Sequence, residues 1–568
     1  MRQKIAYFSM EIALDPAIPT YSGGLGALAG DTLRAAADLN VPMVAVTLLH
    51  RKGYFQQHLD PSGNQTETPT VWSPEEMLEL LDPVVTVTIE GRPVRVRAWR
   101  FMVEGVSGGG IPVYLLDTAL PGNSGFDQTL TDTLYGGDHP YRLCQEIVLG
   151  MGGVEMLRTL GYHGIESYHM NEGHSALLTL ALLERRLEGA GLAAATEQDI
   201  EAVRRKCIFT THTPVPAGHD QFPRELVRQT LGEPRLGLLD DTGCCPNGAL
   251  NMTYLALRFS HYVNGVAMHH GEVSRGMFPR YPINAITNGV HALTWTTPAF
   301  LELYDQHIAG WRRDNLYLRY AVGIPLEEIR TTHARAKHDL IERVHRLTGV
   351  RLDNNTLTFG FARRAATYKR ADLLFSDIDR LRHIARNVGP LQVIYGGKAH
   401  PKDDGGKALI RRVFEAAATL KDAIKVVYVE NYDMRWAQVL CGGVDLWLNT
   451  PKRPQEASGT SGMKAALNGV PSFSVLDGWW IEGHVEGVTG WSIGNGKEPA
   501  SETTAELASL YDKLERVIVP MFYGRPLAYA EIMRSTIALN GAFFNTQRMV
   551  HQYLANAYPA RPARENNL

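Results

Sequence analysis

Two series of short apolar runs, each run followed by a helical pattern, constrain the fold of this 568-residue chain most strongly. The runs are residues 4–10, 41–49 and 207–211 in the first series, and 356–362, 391–395, 425–430, 444–449 and 471–475 in the second. Continuous apolar runs separated by helices are typical of parallel strands that are buried on both faces. The sequence therefore predicts an α/β protein with two doubly wound, Rossmann-like sheets.

The length of the chain also favours two large domains over a single core. We expect a first domain over residues 1–290 and a second over 291–535. The remaining residues, 536–568, are expected to form a C-terminal helix that packs back on the first domain and a flexible tail after about Tyr558. Residues 84–89 and 94–102 alternate apolar and polar side chains, which predicts an antiparallel addition to the first sheet.

Composition excludes several classes of protein. The net charge of −3 gives no overall attraction to nucleic acid or to an anionic membrane. No apolar run approaches the roughly 18 residues that a membrane-spanning helix needs. The five cysteines show no zinc-binding spacing, so no metal site is predicted, and they suit a reduced cytoplasm.

A turn of small residues leads to a lysine that could carry a cofactor. Residues 456–464 read EASGTSGMK, and a short helix that Gly469 ends is expected to follow. Lys464 is predicted in the first turn of that helix, where the helix dipole disfavours an ammonium group. A partly neutral lysine can form a Schiff base with an aldehyde. On spacing alone, a simple helix cap with a solvated lysine is the favoured alternative.

The same residues, with the Leu-Asn-Gly of 467–469 and the Leu-Asp-Gly of 476–478, resemble the pyridoxal-phosphate segment of the α-glucan phosphorylases. The resemblance implies that Lys464 carries pyridoxal 5′-phosphate, with Gly459 and Thr460 beside it. It also implies that Glu456, Ser458 and Gly459 hold hydroxyl groups of a glucosyl unit. One departure is that Ser461-Gly462 stands where the family commonly has Gly-Asn, as in a bacterial and archaeal branch.

A glycine loop follows the first apolar run and precedes a helical pattern. Residues 20–31 include Gly23 and Gly24, whose backbone N–H groups can approach an anion closely at a helix start. A purely structural turn is the more common meaning of such a pattern. Similar glycines occur in phosphorylases and in nucleotide-sugar glucan synthases. The synthases usually have a lysine directly before them, and Ser22 at that position favours a phosphorylase.

Two histidines and an asparagine are further candidates. The prolines after residues 207–211 leave His212 at the carboxyl end of a strand, where open α/β sheets bind ligands. His174 lies in SYHMNEGH, whose spacing is not that of a zinc protease, and a lone histidine is more often structural. By resemblance, His212 contacts the transferred glucosyl group, His174 lies near the glucan, and Asn288 binds glucose.

Four cations in residues 363–370 could bind two phosphate groups by charge-assisted hydrogen bonds. A solvated helix face is the alternative from the sequence alone. The phosphorylase resemblance places Arg363 and Arg364 against the two phosphates and makes Lys369 a further ligand. Here Ala366-Thr367 replaces a His-Glu pair of the family. Segments that match the family near its cofactor add the last two candidates, Lys398 and Tyr432.

The resemblance implies a GT-B type fold, with two domains that face a cleft, and a pyridoxal-phosphate-dependent hexosyltransferase of glycogen, starch or maltodextrin metabolism. Reversible phosphorolysis of the terminal α-1,4-linked glucosyl unit would give α-glucose 1-phosphate with retained configuration. The residues expected to be catalytic are Lys464, Arg364, Lys369 and His212. Inorganic phosphate and the glucan are the expected partners, and a homodimer is left open.

Two alternatives to phosphorolysis remain from the sequence. One is a nucleotide-sugar glucan synthase of the same fold without pyridoxal phosphate, and the other is a glucan-binding protein without activity. Because the sequence begins directly on the first strand, allosteric control is expected to be absent. Glucan length and the direction of the reaction stay open.

Overall fold

The computed structural model describes residues 3–215, 218–496 and 502–559, which form two compact units. Within the described residues the first unit comprises 3–54, 69–286 and 550–559, and the second comprises 55–68, 287–496 and 502–549. The two units therefore interleave along the chain. The predicted boundaries at residues 290 and 535 stay a prediction. Most of the predicted flexible tail, residues 560–568, lies outside the described residues.

The strands of the described chain are short, except for a long antiparallel pair. They are β1 Ile5–Ser9, β2 Met43–Leu48, β3 Gln56–Leu59, β4 Gln65–Thr68, β5 Glu79–Ile89, β6 Arg92–Glu104, β7 Gly110–Asp117, β8 Ser167–Asn171, β9 Cys207–Thr210, β10 Gln221–Pro223, β11 Ala249–Asn251, β12 Tyr262–Gly265, β13 Asn284–Ala285, β14 Leu357–Ala362, β15 Leu391–Gly396, β16 Lys425–Val429, β17 Leu446–Asn449, β18 Ser472–Val475 and β19 Gly490–Ile493.

Helices follow most of the parallel strands. They are α1 Gly24–Asp38, α2 Pro74–Met77, α3 Gly125–Gln128, α4 His139–Ile147, α5 Gly153–Thr159, α6 Leu178–Arg186, α7 Glu197–Arg204, α8 Arg224–Leu231, α9 Glu233–Asp241, α10 Met252–Arg258, α11 Met268–Met277, α12 Ala292–Trp295, α13 Pro298–His307, α14 Leu326–Thr348, α15 Ile378–Asn387, α16 Asp404–Leu420, α17 Met434–Gly443, α18 Thr460–Ala466, α19 Trp480–Gly483, α20 Glu502–Lys513, α21 Val519–Gly524, α22 Pro526–Thr536 and α23 Thr546–Asn556.

The first unit contains a nine-stranded sheet in the order β13-β12-β9-β8-β1-β2-β7-β6-β5. The strands from β13 to β7 are parallel, and β5, β6 and β7 pair antiparallel, which confirms the predicted antiparallel addition. Every residue of β1 and β2 is buried, because helices and loops cover both faces of the sheet. The sheet order reverses between β1 and β8.

The second unit contains a six-stranded, all-parallel sheet in the order β16-β15-β14-β17-β18-β19. Its order reverses between β14 and β17. The α/β class with two doubly wound sheets is thus confirmed. Two elements of this unit were not predicted: the edge strand β19, and the antiparallel hairpin β3–β4, which belongs to this unit although it lies early in the chain.

The end of the described chain completes the core of the first unit. Val550 on α23 is 1% exposed and packs with Ile5, Tyr7 and Leu33. The hydroxyl group of Tyr553 lies 3.0 Å from Thr210 Oγ1. Among the residues described here, none of the helices combines the length and the apolar character that crossing a bilayer requires.

Candidate active site

The polar residues of the second unit gather where its sheet order reverses. Arg363 follows β14 directly, Asn449 ends β17, and Glu456 lies in the loop after β17. The carboxyl ends of parallel strands at such a switch point form the usual ligand site of an open α/β sheet. The side chains meet there, because Arg363 donates from Nη1 to Asn449 Oδ1 and from Nη2 to Glu456 Oε2, the latter over 2.7 Å.

Glu456 is a buried carboxylate that two of the four cations in residues 363–370 share. Lys369 Nζ bonds the same Oε2 as Arg363, and all three side chains are at most 9% exposed. Burial alone would raise the pKa of the Glu456 carboxyl group. The charges of Arg363 and Lys369 outweigh that effect and hold its pKa at about 2. The carboxylate therefore stays ionised throughout the neutral range.

Positive charge exceeds negative charge at this switch point. Arg363 and Lys369 are two buried cations that share the one carboxylate of Glu456, and Arg370 of the same segment pairs with Glu506. Arg364 is exposed, and the Nε group of Arg363 is buried without a hydrogen-bond partner. A site with surplus cations and an unused buried donor favours an anion with several oxygens, of which phosphate is the simplest.

Lys464 lies on α18 and is buried, with 7% of its surface exposed. Its Nζ atom lies 3.5 Å from the centroid of the Trp295 ring. The predicted position in the first turn is wrong: Gly459, in a left-handed conformation at φ 84°, precedes the helix, which begins at Thr460 and puts Lys464 in the last turn. There the helix dipole and the aromatic face both favour a cation. The dipole therefore does not activate this amine.

Two other predicted side chains of the second unit have buried hydrogen-bonding atoms without partners. Asn288 is 3% exposed and Ser458 is 6% exposed. The Oδ1 atom of Asn288 and the Oγ atom of Ser458 make no hydrogen bond to the described residues. Buried polar atoms normally have a hydrogen-bond partner, so these two atoms are suited to hydrogen bonds with ligand groups such as sugar hydroxyls.

The first unit also gathers polar residues where its sheet order reverses. Ser9 ends β1, Asn171 ends β8, and His212 follows β9 by two residues. The backbone N–H of His212 donates to Glu172 Oε2 over 2.8 Å, and its Nε2 lies 2.7 Å from Asn171 Oδ1. Burial lowers the pKa of His212 to about 3, so its ring is neutral.

Glu172 supports this arrangement, and its own backbone has a conformation that is unfavourable for every residue except glycine. Its φ is 73° and its ψ is 167°. Its carboxylate accepts from the N–H of Gly173, the N–H of His212 and the hydroxyl of Thr213. Conformations of this kind cost about 1–3 kcal/mol and persist where neighbouring bonds enforce them, often at functional sites.

The glycine loop before α1 is held by Glu11. Its Oε2 accepts from the N–H of Ser22 over 2.6 Å and from the N–H of Gly23 over 3.3 Å. A Cβ atom built at Gly23 or at Gly24 would meet no atom within 4 Å. The loop therefore presents open space at the start of a 15-residue helix, while part of the predicted anion cradle is already used by Glu11.

Comparison with known proteins decides the family. Residues 235–489 match the family model of the carbohydrate phosphorylases. A maltodextrin phosphorylase from Thermococcus litoralis is 40% identical in an alignment that covers 98% of this chain and 70% of that protein. The chain belongs to the carbohydrate phosphorylase family. A glycogen phosphorylase from Mycobacterium tuberculosis is 38% identical over the same shares, and one from Aquifex aeolicus is 33% identical over 98% of this chain and 86% of its own length.

The resemblance that the Lys464 motif indicated is thereby confirmed at the level of the family. These relatives carry phosphorylase names, so the glucan synthase alternative gains no support. The individual roles carried over from the phosphorylase motifs to single residues remain proposals.

Three predicted residues of this phosphorylase chain have other partners in the structure. Lys398 Nζ donates to the backbone carbonyl of Phe55 over 2.8 Å, and burial lowers its pKa to about 8. Tyr432 is half-buried and packs against the core of the second unit. His174 Nε2 lies 3.1 Å from Asp220 Oδ2 in the first unit.

Sequence reasoning missed several residues of these clusters. Trp295 lies 169 positions before Lys464, and no local pattern connects the two. Glu11, Asn171 and Glu172 carried a usable signal, because each lies at or just after the carboxyl end of a buried strand.

Proposed function

We propose that this chain is an α-1,4-glucan phosphorylase that uses pyridoxal 5′-phosphate and transfers the terminal glucosyl unit of a glucan to inorganic phosphate. The observation that carries the proposal is the surplus of cations at the switch point of the second unit, in the same unit as the buried Lys464. Phosphorolysis needs an anion site that holds phosphate, and the charge of this cluster supports that assignment. All five cysteines are free thiols, which fits a reducing cytoplasm.

The residues of the second unit fit pyridoxal phosphate in their chemistry. Lys464 offers a primary amine in a buried setting, against an aromatic ring. Arg363 offers a buried Nε donor that no described residue uses. The positive φ of Gly459 lets the chain turn sharply just before the helix that carries the lysine. When bound on Lys464, the cofactor would supply a phosphate group that exchanges a proton with the substrate phosphate.

The cations have a defined task in this proposal. Arg364 and Lys369 bind inorganic phosphate, and Arg363 offsets the repulsion that two neighbouring phosphate groups would otherwise have. Glu456 keeps Arg363 and Lys369 in place through Oε2. Fixed charges of this kind hold the phosphate anion without having to reorganise, and the negative charge of that phosphate would stabilise the positive glucosyl transition state.

Polar groups of the second unit would orient the sugar. Glu456 Oε1, Ser458 Oγ and Asn288 Oδ1 are the atoms of the second unit that can accept or donate hydrogen bonds to glucosyl hydroxyls. In the first unit, His212 would contact a glucosyl hydroxyl, and Gly23 and Gly24 would lie against phosphate. His174, Lys398, Tyr432 and Thr460 are proposed as outer members of the glucan and cofactor sites.

The proposal is tested by measuring α-glucose 1-phosphate release from maltodextrin and inorganic phosphate, with and without added pyridoxal phosphate. We expect phosphate-dependent release from the native chain and none from Lys464→Ala. Lys425→Ala is a matched control, because Lys425 is an exposed lysine of the same unit, and it should keep full activity. Release that survives in Lys464→Ala would refute the cofactor assignment. Glucan extension from ADP-glucose without phosphorolysis would instead establish a synthase.

A further inference from the structure

The hydrogen bonds behind His212 have a direction that the buried Ser9 determines. Ser9 is 0% exposed, and its hydroxyl donates to the backbone carbonyl of Glu11 over 2.8 Å. A serine hydroxyl has one hydrogen, so its oxygen can only accept from its second neighbour, the side-chain amide of Asn171 at 3.1 Å. The amide nitrogen of Asn171 therefore faces Ser9, and its carbonyl oxygen faces His212.

The opposite orientation of the Asn171 amide fails the same test. Its carbonyl oxygen would then face a Ser9 oxygen whose only hydrogen is already donated to Glu11, and two acceptors would meet in a buried site. Asn171 is 1% exposed, so water does not relieve that conflict. Because the carbonyl oxygen must face His212 Nε2 at 2.7 Å, that nitrogen must carry the proton.

We propose that Asn171 is a positioning residue that locks His212 in its Nε2–H tautomer, so that Nδ1 offers a lone pair, and not a proton, to a hydroxyl group of the substrate. The tautomer follows from the hydrogen bonds alone, whereas the role toward substrate rests on the proposed function. Glu172 adds to the support, because it accepts from the backbone N–H of His212 and from the hydroxyl of Thr213.

This arrangement makes His212 selective for a ligand group that donates a hydrogen bond. A sugar hydroxyl can donate to Nδ1, whereas an ether oxygen or a fluorine at the same place cannot. A site built to bond a hydroxyl discriminates strongly against an analogue that lacks it. Ser9 and Asn171 thus act on specificity through His212.

The first experiment reads the tautomer directly in the full native chain. With ¹⁵N-labelled histidine, two-bond ¹H–¹⁵N correlations distinguish a protonated from an unprotonated ring nitrogen. The His212 signal is the one that disappears in His212→Gln. We expect a neutral ring protonated at Nε2. A ring protonated at Nδ1, or at both nitrogens at pH 7, would overturn the inference whether or not the protein is active.

The second experiment removes the hydrogen bond between Ser9 and Asn171 without changing the histidine itself. Ser9→Ala removes the oxygen that fixes the Asn171 amide, so we expect a mixture of tautomers and a three- to tenfold lower kcat/KM for maltodextrin, with the KM for phosphate unchanged. Ser175→Ala is the matched control, because Ser175 is also 0% exposed but its hydroxyl has no partner in the described structure. It should change neither the tautomer nor the kinetics.

The outcomes separate the two proposals. A Ser9→Ala protein with an unchanged tautomer and unchanged glucan kinetics would overturn the proposal that Ser9 and Asn171 fix the tautomer of His212. A native chain with the Nε2–H tautomer but no phosphorolysis would refute the proposed function and leave the tautomer assignment standing. If Ser9→Ala does not fold, Asn171→Asp serves instead, and we expect its carboxylate to make the His212 ring charged in the same spectra.

Discussion

The hydrogen-bond donors at the switch point of the first unit are neutral, whereas those that hold Glu456 at the switch point of the second unit are cations. In the first, the neutral ring of His212 and backbone N–H groups meet Asn171 and Glu172. In the second, Arg363 and Lys369 share one oxygen of Glu456. The same topological position therefore serves two chemistries. Neutral donors and acceptors suit sugar hydroxyls, and surplus cations suit phosphate.

The largest expected effect comes from removing the charge of Glu456. Glu456→Gln leaves two buried cations unpaired, and we expect a loss of about 3–5 kcal/mol in the free energy of unfolding. Urea denaturation measures it, and Glu415→Gln, at an exposed position of the same unit, should lie within about 0.5 kcal/mol of the native value. Added phosphate should stabilise Glu456→Gln more than the native chain. An equal effect of phosphate on both would contradict the view that Glu456 neutralises an anion site.

Acidification should distinguish the two units next. Burial lowers the pKa values of His169 and His212 to about 3, while an unfolded histidine titrates near 6.5. The unfolded state therefore binds protons first, and stability falls as the pH drops below 6.5, by about 2 kcal/mol per buried histidine at pH 5. Glu456 has a lowered carboxyl pKa, so its contribution is kept above about pH 4.5 and is lost toward pH 2.

Hydrogen exchange corrected for intrinsic rates should therefore show protection lost in the first unit between pH 6.5 and 4.5. His169→Gln should make that pH dependence shallower, whereas His163→Gln, at an exposed position, should not. Equal loss of protection in both units over this range would break the comparison.

A smaller effect is expected from Arg364, the exposed cation of the second switch point. Arg364→Ala should leave stability within about 0.5 kcal/mol and lower kcat/KM for phosphate by about 10- to 100-fold, as expected for a lost charge-assisted hydrogen bond. Arg412→Ala is the control, since Arg412 is an exposed arginine of the same unit that pairs with Asp372. Similar phosphate kinetics in both variants would remove Arg364 from the site.

The smallest effect concerns the glycine loop of the first unit. Gly24→Ala adds a methyl group to open space, so stability should be unchanged or up to about 1 kcal/mol higher. If phosphate occupies that space, its KM should rise about tenfold, or ~1.4 kcal/mol. The control is Gly237→Ala on α9, whose added methyl group also meets open space. It should change stability by a similar amount without changing the KM for phosphate. An unchanged KM for phosphate in Gly24→Ala would show that the glycine loop does not bind phosphate and would assign phosphate binding to the second unit alone.

Much of the fold could be predicted, because a parallel strand buried on both faces is a continuous apolar run. The strands of the second unit that were not predicted lack such an apolar run. β19 is four residues long and contains Ser492, and the hairpin β3–β4 is almost entirely polar. The site was predictable where one motif holds it, as around Lys464. It was not predictable where residues distant in sequence meet, as Trp295 and Lys464 do. Nor could the sequence decide whether Lys464 lies in the first or the last turn of its short helix, and therefore at which end of the helix dipole.

The interleaving of the two units has a consequence for the order of folding during synthesis. Most of the first unit precedes the second unit in sequence, yet Val550, Tyr553 and Tyr558 also belong to the first unit. Val550 packs with residues of β1, and the two tyrosines hydrogen-bond to side chains of β8 and β9. A ribosome adds these three residues after the second unit. The first unit therefore cannot close until the second unit has been synthesised, and a nascent chain halted near residue 290 should expose that side of the sheet to chaperones.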